Sequence, residues 1–138
     1  MGLAGVAAVV AADAAAGRLY AVEDGTAIIA TFAVCDEPDD YFGTVAWAEP
    51  HAPARYLHRI AVVPAIHGQG LGSWTLAQAE AIAASQGAGY LRLDCLLKDE
   101  RAMRFYRRHG YCERGVVRVA SDEPAQPLIP LACFERAL

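Results

Sequence analysis

The chain has 138 residues, 55% of them hydrophobic, enough to bury one core and too many for an intrinsically disordered segment. Its formal charge is -4, with Lys98 the sole lysine among 12 basic residues, which argues against general nucleic-acid binding. The 4 cysteines (Cys35, Cys95, Cys112 and Cys133) form no C-x-x-C pair and sit in apolar runs. They read as reduced, buried thiols of a cytoplasmic protein, and no clustered ligand set calls for a metal.

In chain order, the apolar opening MGLAGVAAVVAADAAAG has no positive residue before it and is interrupted by Asp13. It fits neither a signal peptide nor a membrane span, and is expected to form a helix over Leu3–Ala16 ended by Gly17. Strands are expected at RLYAVED and TAIIATFAVC, joined by a turn at Asp24-Gly25. DEPDDYFG reads as a solvated, turn-rich tip. An acidic, aromatic rim for a cationic amine is the functional alternative, through Asp36, Glu37, Asp39, Asp40, Tyr41 and Phe42. TVAWAE reads as a continuing strand, and RYLHRIAVV as a strand ending at Pro64.

A helix is expected from Gly70 to Gln86, with Leu71, Trp74, Ala77, Ala81 and Ala84 on one face and Gly87 and Gly89 beyond its end. YLRLDCLL is an apolar strand. A short helix from Glu100 to His109 follows, capped by Asp99 and stopped by Gly110, and GVVRVA and PLACFERAL are the last strands. Nothing divides the chain, so residues 1–138 read as one domain. The order α-β-β-β-α-β-α-β-β predicts an α/β or α+β fold with a mixed sheet, parallel pairing falling around the two later helices.

Between the third strand and its helix lies HGQGLG, with glycine at 68, 70 and 72. A glycine turn at a helix N-terminus suits an anion: the first-turn N–H groups are unpaired, and glycine lets the backbone approach. A lysine after Gly72 is missing, which removes the phosphate loop of nucleotide triphosphatases, and Ser73 stands where the dinucleotide fingerprint needs glycine.

The run YLHRIAVVPAIHGQGLGSWTLAQAEAIA resembles the acyl-CoA-binding motif of the GNAT superfamily of N-acetyltransferases, [QR]-x-x-G-x-[GA], with His67 in the first place and Gly70 and Gly72 in the later ones. Asp99, Ala102, Phe105, Tyr106 and Gly110-Tyr111 resemble that family's second motif, N-x-x-A-x-x-[FL]-Y-x-x-x-G-[FY], with Asp99 for asparagine. Together the motifs span Tyr56 to Tyr111.

The resemblance implies a GNAT-like fold and an acetyl-CoA cosubstrate. Its pyrophosphate would lie on the amides of Gly68, Gln69, Gly70, Leu71, Gly72 and Ser73, beside His67. Its pantetheine arm would lie along Ile60, Ala61, Val62 and Val63 and near Asp99, Ala102 and Phe105. The resemblance makes Tyr106 the general acid for the leaving thiolate and the Val62 N–H an oxyanion donor. Base candidates are His58, Tyr56, Glu49 and His51, with His58 favoured because its strand would flank the thioester. Arg101, Arg104, Arg107 and Arg108 read as a solvated face, with phosphate contact as the alternative.

About 17 residues precede GRLYAVEDG, where the family usually has a strand and two helices, so the wall on the acceptor side is expected to be trimmed and a homodimer could supply it. The expected activity is transfer of an acetyl group to the primary amine of a small molecule or peptide, without nucleic acid, membrane or metal. A non-catalytic acyl-CoA sensor is the alternative.

Overall fold

Six strands form one mixed sheet in the order β1-β2-β3-β4-β6-β5. These are β1 (Leu19–Asp24), β2 (Ala27–Cys35), β3 (Ala54–Val62), β4 (Tyr90–Leu96), β5 (Cys112–Ala120) and β6 (Leu128–Ala137). Helix α1 (Leu71–Ser85) joins β3 to β4, and α2 (Glu100–Arg108) joins β4 to β5. This computed structural model describes residues 14–25, 27–64, 68 and 70–138, so most of the helix expected over Leu3–Ala16 lies outside the described residues.

The sheet is covered on both faces. Phe32, Val34, Leu57, Leu91, Leu93, Ala132 and Phe134 point to a core shared with Leu76, Ala79 and Ala83 of α1 and Met103 and Tyr106 of α2. Their strand neighbours Ala33, Cys35, Tyr56, Leu131 and Cys133 point the other way, under Phe42, Val45 and Trp47. Double coverage explains why β2 and β6 are apolar in runs rather than in alternation.

The coverage also accounts for TVAWAE, which is not a strand. Val45 and Trp47 are both buried, so the period of two is real, but the segment lies on the sheet instead of pairing within it. Its polar groups turn elsewhere: the Trp47 indole N–H donates to Phe42 O at 3.0 Å, and the Ala48 amide to Glu135 Oε1 at 2.8 Å. DEPDDYFG contains a 3-10 turn, Asp40–Thr44, whose Phe42 anchors this layer.

The buried side of α1 is not the expected one. Thr75, Leu76, Ala79 and Ala83 are buried, whereas Trp74 is 50% exposed and Ala77, Ala81 and Ala84 face solvent. The helix is apolar nearly all round, so hydrophobicity alone selects no face. Small alanines on the packed side let α1 lie close to the sheet. Parallel pairing occurs around α1 only; after α2 the chain enters edge strand β5, and β4 pairs antiparallel with β6.

Two features of β3 shape the centre of the sheet. Thr31 pairs with Ala61 and Ala33 with His58, so one residue of β2 faces two of β3, a bulge at which Arg59 takes φ 53°. On the other edge, β3 and β4 pair only over Ala54–Tyr90, Arg55–Leu91 and Tyr56–Arg92. Beyond Arg92 the ladder stops and the two strands run on without pairing, which leaves an opening through the middle of the sheet.

Candidate active site

On the helical face, the opening is bordered by the N-terminus of α1. Gly70 caps this helix with φ 79°, and Gly68 has φ 83°, a left-handed conformation that side chains with a Cβ resist. Chain neighbours aside, no atom of the described residues lies within 4 Å of where a Cβ would stand at either position, so the left-handed backbone is the reason for glycine there. The Trp74 amide donates to Gly70 O at 3.0 Å, and the amides of Leu71, Gly72 and Ser73 are the first-turn donors with no partner among the described residues. Gly72 packs beside the Phe105 ring, where a Cβ would sit at 3.6 Å, an ordinary contact.

The facing wall is α2. Asp99 caps it as the sequence predicts, Oδ1 accepting from the Ala102 amide at 3.0 Å. Between α1 and α2 lies a groove of about 780 Å³ whose lining includes Val62, Gly68, Gly70, Gly72, Asp99 and Tyr106. Ser73, Ala102 and Phe105 line it too. So do Arg101, Arg104 and Arg108, three arginines on one side of α2. They are exposed, as a solvated face would be, but they rim this groove and concentrate positive charge there in an acidic protein. Arg107 differs, donating to Glu113 at 2.8 Å.

Tyr106 is buried at 6% exposure and reaches the groove from the core. Phe105, Tyr111 and Phe134 hold its ring at centroid distances of 5.3, 5.8 and 5.9 Å. Among the described residues its hydroxyl makes no hydrogen bond. Burial, then the nearby Cys95, Asp94 and Asp99, push its pKa well above the ordinary phenol value, so it keeps its proton.

The opposite face of the opening carries a second cluster. Tyr41 Oη donates to Asp94 Oδ2 at 2.7 Å and lies 3.0 Å from Asp39 Oδ2. His58 Nε2 is 3.6 Å from the same Asp39 oxygen, within ion-pair range but beyond a hydrogen bond. Burial raises the Asp94 pKa, opposed by the Tyr41 hydrogen bond and by His58. The acidic segment is thus more than a solvated tip: Asp36, Glu37, Asp39 and Asp40 are all exposed, but Asp39 lies against His58 and Tyr41 reaches Asp94. Asp94 was missed in the sequence; its one signal is a carboxylate inside the apolar strand YLRLDCLL.

Of the base candidates, only His58 stands at this opening. Tyr56 is buried in the last paired step of β3, packed on Phe42. Glu49 accepts from Tyr90 Oη at 2.6 Å beside the closed end of the β3–β4 ladder, and His51 is exposed in a turn. In the expected pantetheine segment, Ile60 packs on the helical core, Ala61 and Val62 pair with β2, and the Val63 amide donates to Ile29 O at 2.9 Å. His67 and Gln69 lie outside the described residues. Among the described residues no group of three or more His, Cys, Asp or Glu is placed to hold a metal, and no helix is long and apolar enough to cross a membrane.

A sequence model of the acetyltransferase (GNAT) family matches residues 7–111, from ahead of β1 through β4 and α2. The chain belongs to the GNAT family. An uncharacterized N-acetyltransferase of Bacillus subtilis, YesJ, is 30% identical over 95 residues, covering 69% of this chain and 53% of its own; the chain thus spans about half the length of that relative. A GNAT acetyltransferase from Listeria monocytogenes superposes with a TM-score of 0.66 at 22% identity, covering 88% of this chain and 65% of its own. One from Elizabethkingia anophelis, solved with acetyl-CoA bound, gives 0.68 at 15% identity, covering 95% and 82%. These likenesses establish the GNAT fold, a mixed α/β sheet of six strands flanked by helices.

Proposed function

We propose that the protein is an acetyl-CoA-dependent N-acetyltransferase acting on the primary amine of a small molecule or peptide. The observation that carries this reading is the opening between β3 and β4, with an anion cradle and a proton-bearing tyrosine on one face and a base with two carboxylates on the other. The residues of the first face suit coenzyme A: first-turn amides and three arginines for its phosphates, and the part of the β3 edge that β4 does not cover for its amide-containing arm. The second face suits an ammonium ion, through Asp39 and Asp94.

In this mechanism the acceptor gives one proton to His58, which Asp39 holds and whose charge it stabilises. The freed amine attacks the thioester carbonyl carbon, and the C–N bond forms as the carbonyl electrons move to oxygen. The Val62 N–H is assigned to that oxyanion. As the oxyanion collapses the C–S bond breaks and Tyr106 gives its phenol proton to the leaving thiolate; the second proton of the attacking nitrogen passes through water to the phenolate, which leaves a neutral amide and restores Tyr106. Burial keeps Tyr106 protonated until a thiolate forms beside it.

The test is release of free thiol from acetyl-CoA with a panel of cationic and neutral amines. Tyr106→Phe is expected to lower kcat by roughly 10²–10⁴-fold with little change in the KM for acetyl-CoA, and His58→Ala to lower kcat by a similar factor. Full turnover by Tyr106→Phe would remove it from the mechanism. Coenzyme A binding by calorimetry without transfer to any amine would point instead to an acyl-CoA sensor.

A further inference from the structure

His109 takes no part in the mechanism above, yet it joins the two segments that build the coenzyme groove. It caps the C-terminus of α2 and lies half-buried. Its Nδ1 is 2.8 Å from Phe105 O, and its Nε2 is 2.9 Å from Ser73 Oγ in the first turn of α1. Its ring packs on Phe105 at 4.4 Å between centroids, and Phe105 in turn fills the space beside Gly72.

The hydrogen-bond chemistry assigns the protons. A carbonyl oxygen only accepts, so Nδ1 must carry hydrogen. In the neutral ring Nε2 is then an acceptor, and the Ser73 hydroxyl donates to it. Ser73 borders the groove, but in this state its hydrogen points at the ring. A second proton on the ring reverses the bond: Nε2–H donates to Oγ, and the serine hydrogen is freed for another acceptor.

We infer that His109 is a positioning residue that sets the α1 cradle against α2 and couples coenzyme binding to its own protonation, through Ser73. The inference rests on the groove being the coenzyme site. A phosphate there accepts the Ser73 hydrogen only when the ring holds both protons, so coenzyme A binds more tightly as pH falls through the histidine range. Of the charged groups on α2, Arg101, Arg104 and Arg108 rim the same groove, and Asp99 stands at the far end of the helix. Glu80 of α1 is paired with Arg136 at 2.7 Å, and Arg107 with Glu113.

The test is the Kd of coenzyme A by calorimetry between about pH 5.5 and 8, in buffers of different ionisation heat, for wild type, Ser73→Ala and His109→Gln. Wild-type Kd is expected to weaken several-fold more than that of either variant across this range, with net proton uptake that both variants lose. The ionisation of the ligand is common to all three and cancels in the comparison. Far-UV circular dichroism and thermal unfolding check that the variants are folded. A Ser73→Ala protein that keeps the wild-type slope and proton uptake overturns the coupling while leaving the coenzyme site intact. Wild type that binds no coenzyme A at any pH overturns the coenzyme reading itself, and the coupling with it.

Discussion

Asp94 and Tyr41 meet across 53 positions of chain, and neither is conspicuous in the sequence. An aspartate in an apolar strand reads equally well as an edge or a solvated position; only its burial gives it a raised pKa, against the opposing Tyr41 hydrogen bond. That shift has a consequence for stability. The folded Asp94 holds its proton over a pH window, starting near the ordinary value of 3.8, in which the unfolded chain has lost it. Stability therefore falls as pH rises through the window, because the folded state binds more protons than the unfolded one. Asp94→Asn has no proton to lose, so its stability relative to wild type is expected to rise over that interval. Urea unfolding at several values between about pH 4 and 7 measures it, and a constant difference would show that the carboxylate ionises alike in both states. Tyr106, by contrast, was legible, because its motif fixes its place and the helix turn that carries it is local.

Among the elements, the loop Val45–Pro53 shows how a fold fixes a segment without secondary structure. Arg92 and Glu135, each 1% exposed, form a buried pair with Nε–Oε2 at 3.0 Å. The other carboxylate oxygen of Glu135 takes Arg114 at 2.9 Å and the Ala48 amide at 2.8 Å. Arg92 donates to Glu49 O at 2.8 Å and stacks on Trp47 at 4.7 Å. Every charge is partnered, so removing one strands the rest. Glu135→Ala is expected to lower unfolding stability by about 3–5 kcal/mol in denaturant titrations, far more than the exposed pair Arg104–Glu100 contributes. The sequence shows Arg92 and Glu135 only as charges in apolar strands; the register that places Arg92 opposite Glu135 is a property of the sheet. α1 teaches the converse. Its length was plain from Gly70 and Gly87, but its buried face was not, because alanine on every side leaves the choice to neighbours.

At the scale of the molecule, charge is divided by the sheet. Arginines rim the groove on the helical face, while Asp39 and Asp94 occupy the other, so an anionic cosubstrate and a cationic acceptor would meet at the opening without competing for one surface. Ligand linkage gives a test independent of catalysis. Coenzyme A at 100 times its Kd is expected to stabilise the fold by about 2.7 kcal/mol, seen as a rise in Tm, and a Gly70→Ala variant, strained at φ 79°, is expected to show a smaller rise at the same concentration. By itself the sequence determined the elements that close within a few residues: the Asp24-Gly25 hairpin, the glycine turn into α1, the Asp99 cap and the helix α2 that carries Tyr106. Their causes are backbone sterics, orphan amides and helical period, all local. The tertiary structure alone decided the early parting of β3 and β4, the burial of Arg92 with Glu135, and the meeting of His58, Asp39, Tyr41 and Asp94. Those depend on strand register and on which surfaces pack, and contacts between residues dozens of positions apart leave no periodic mark in the chain.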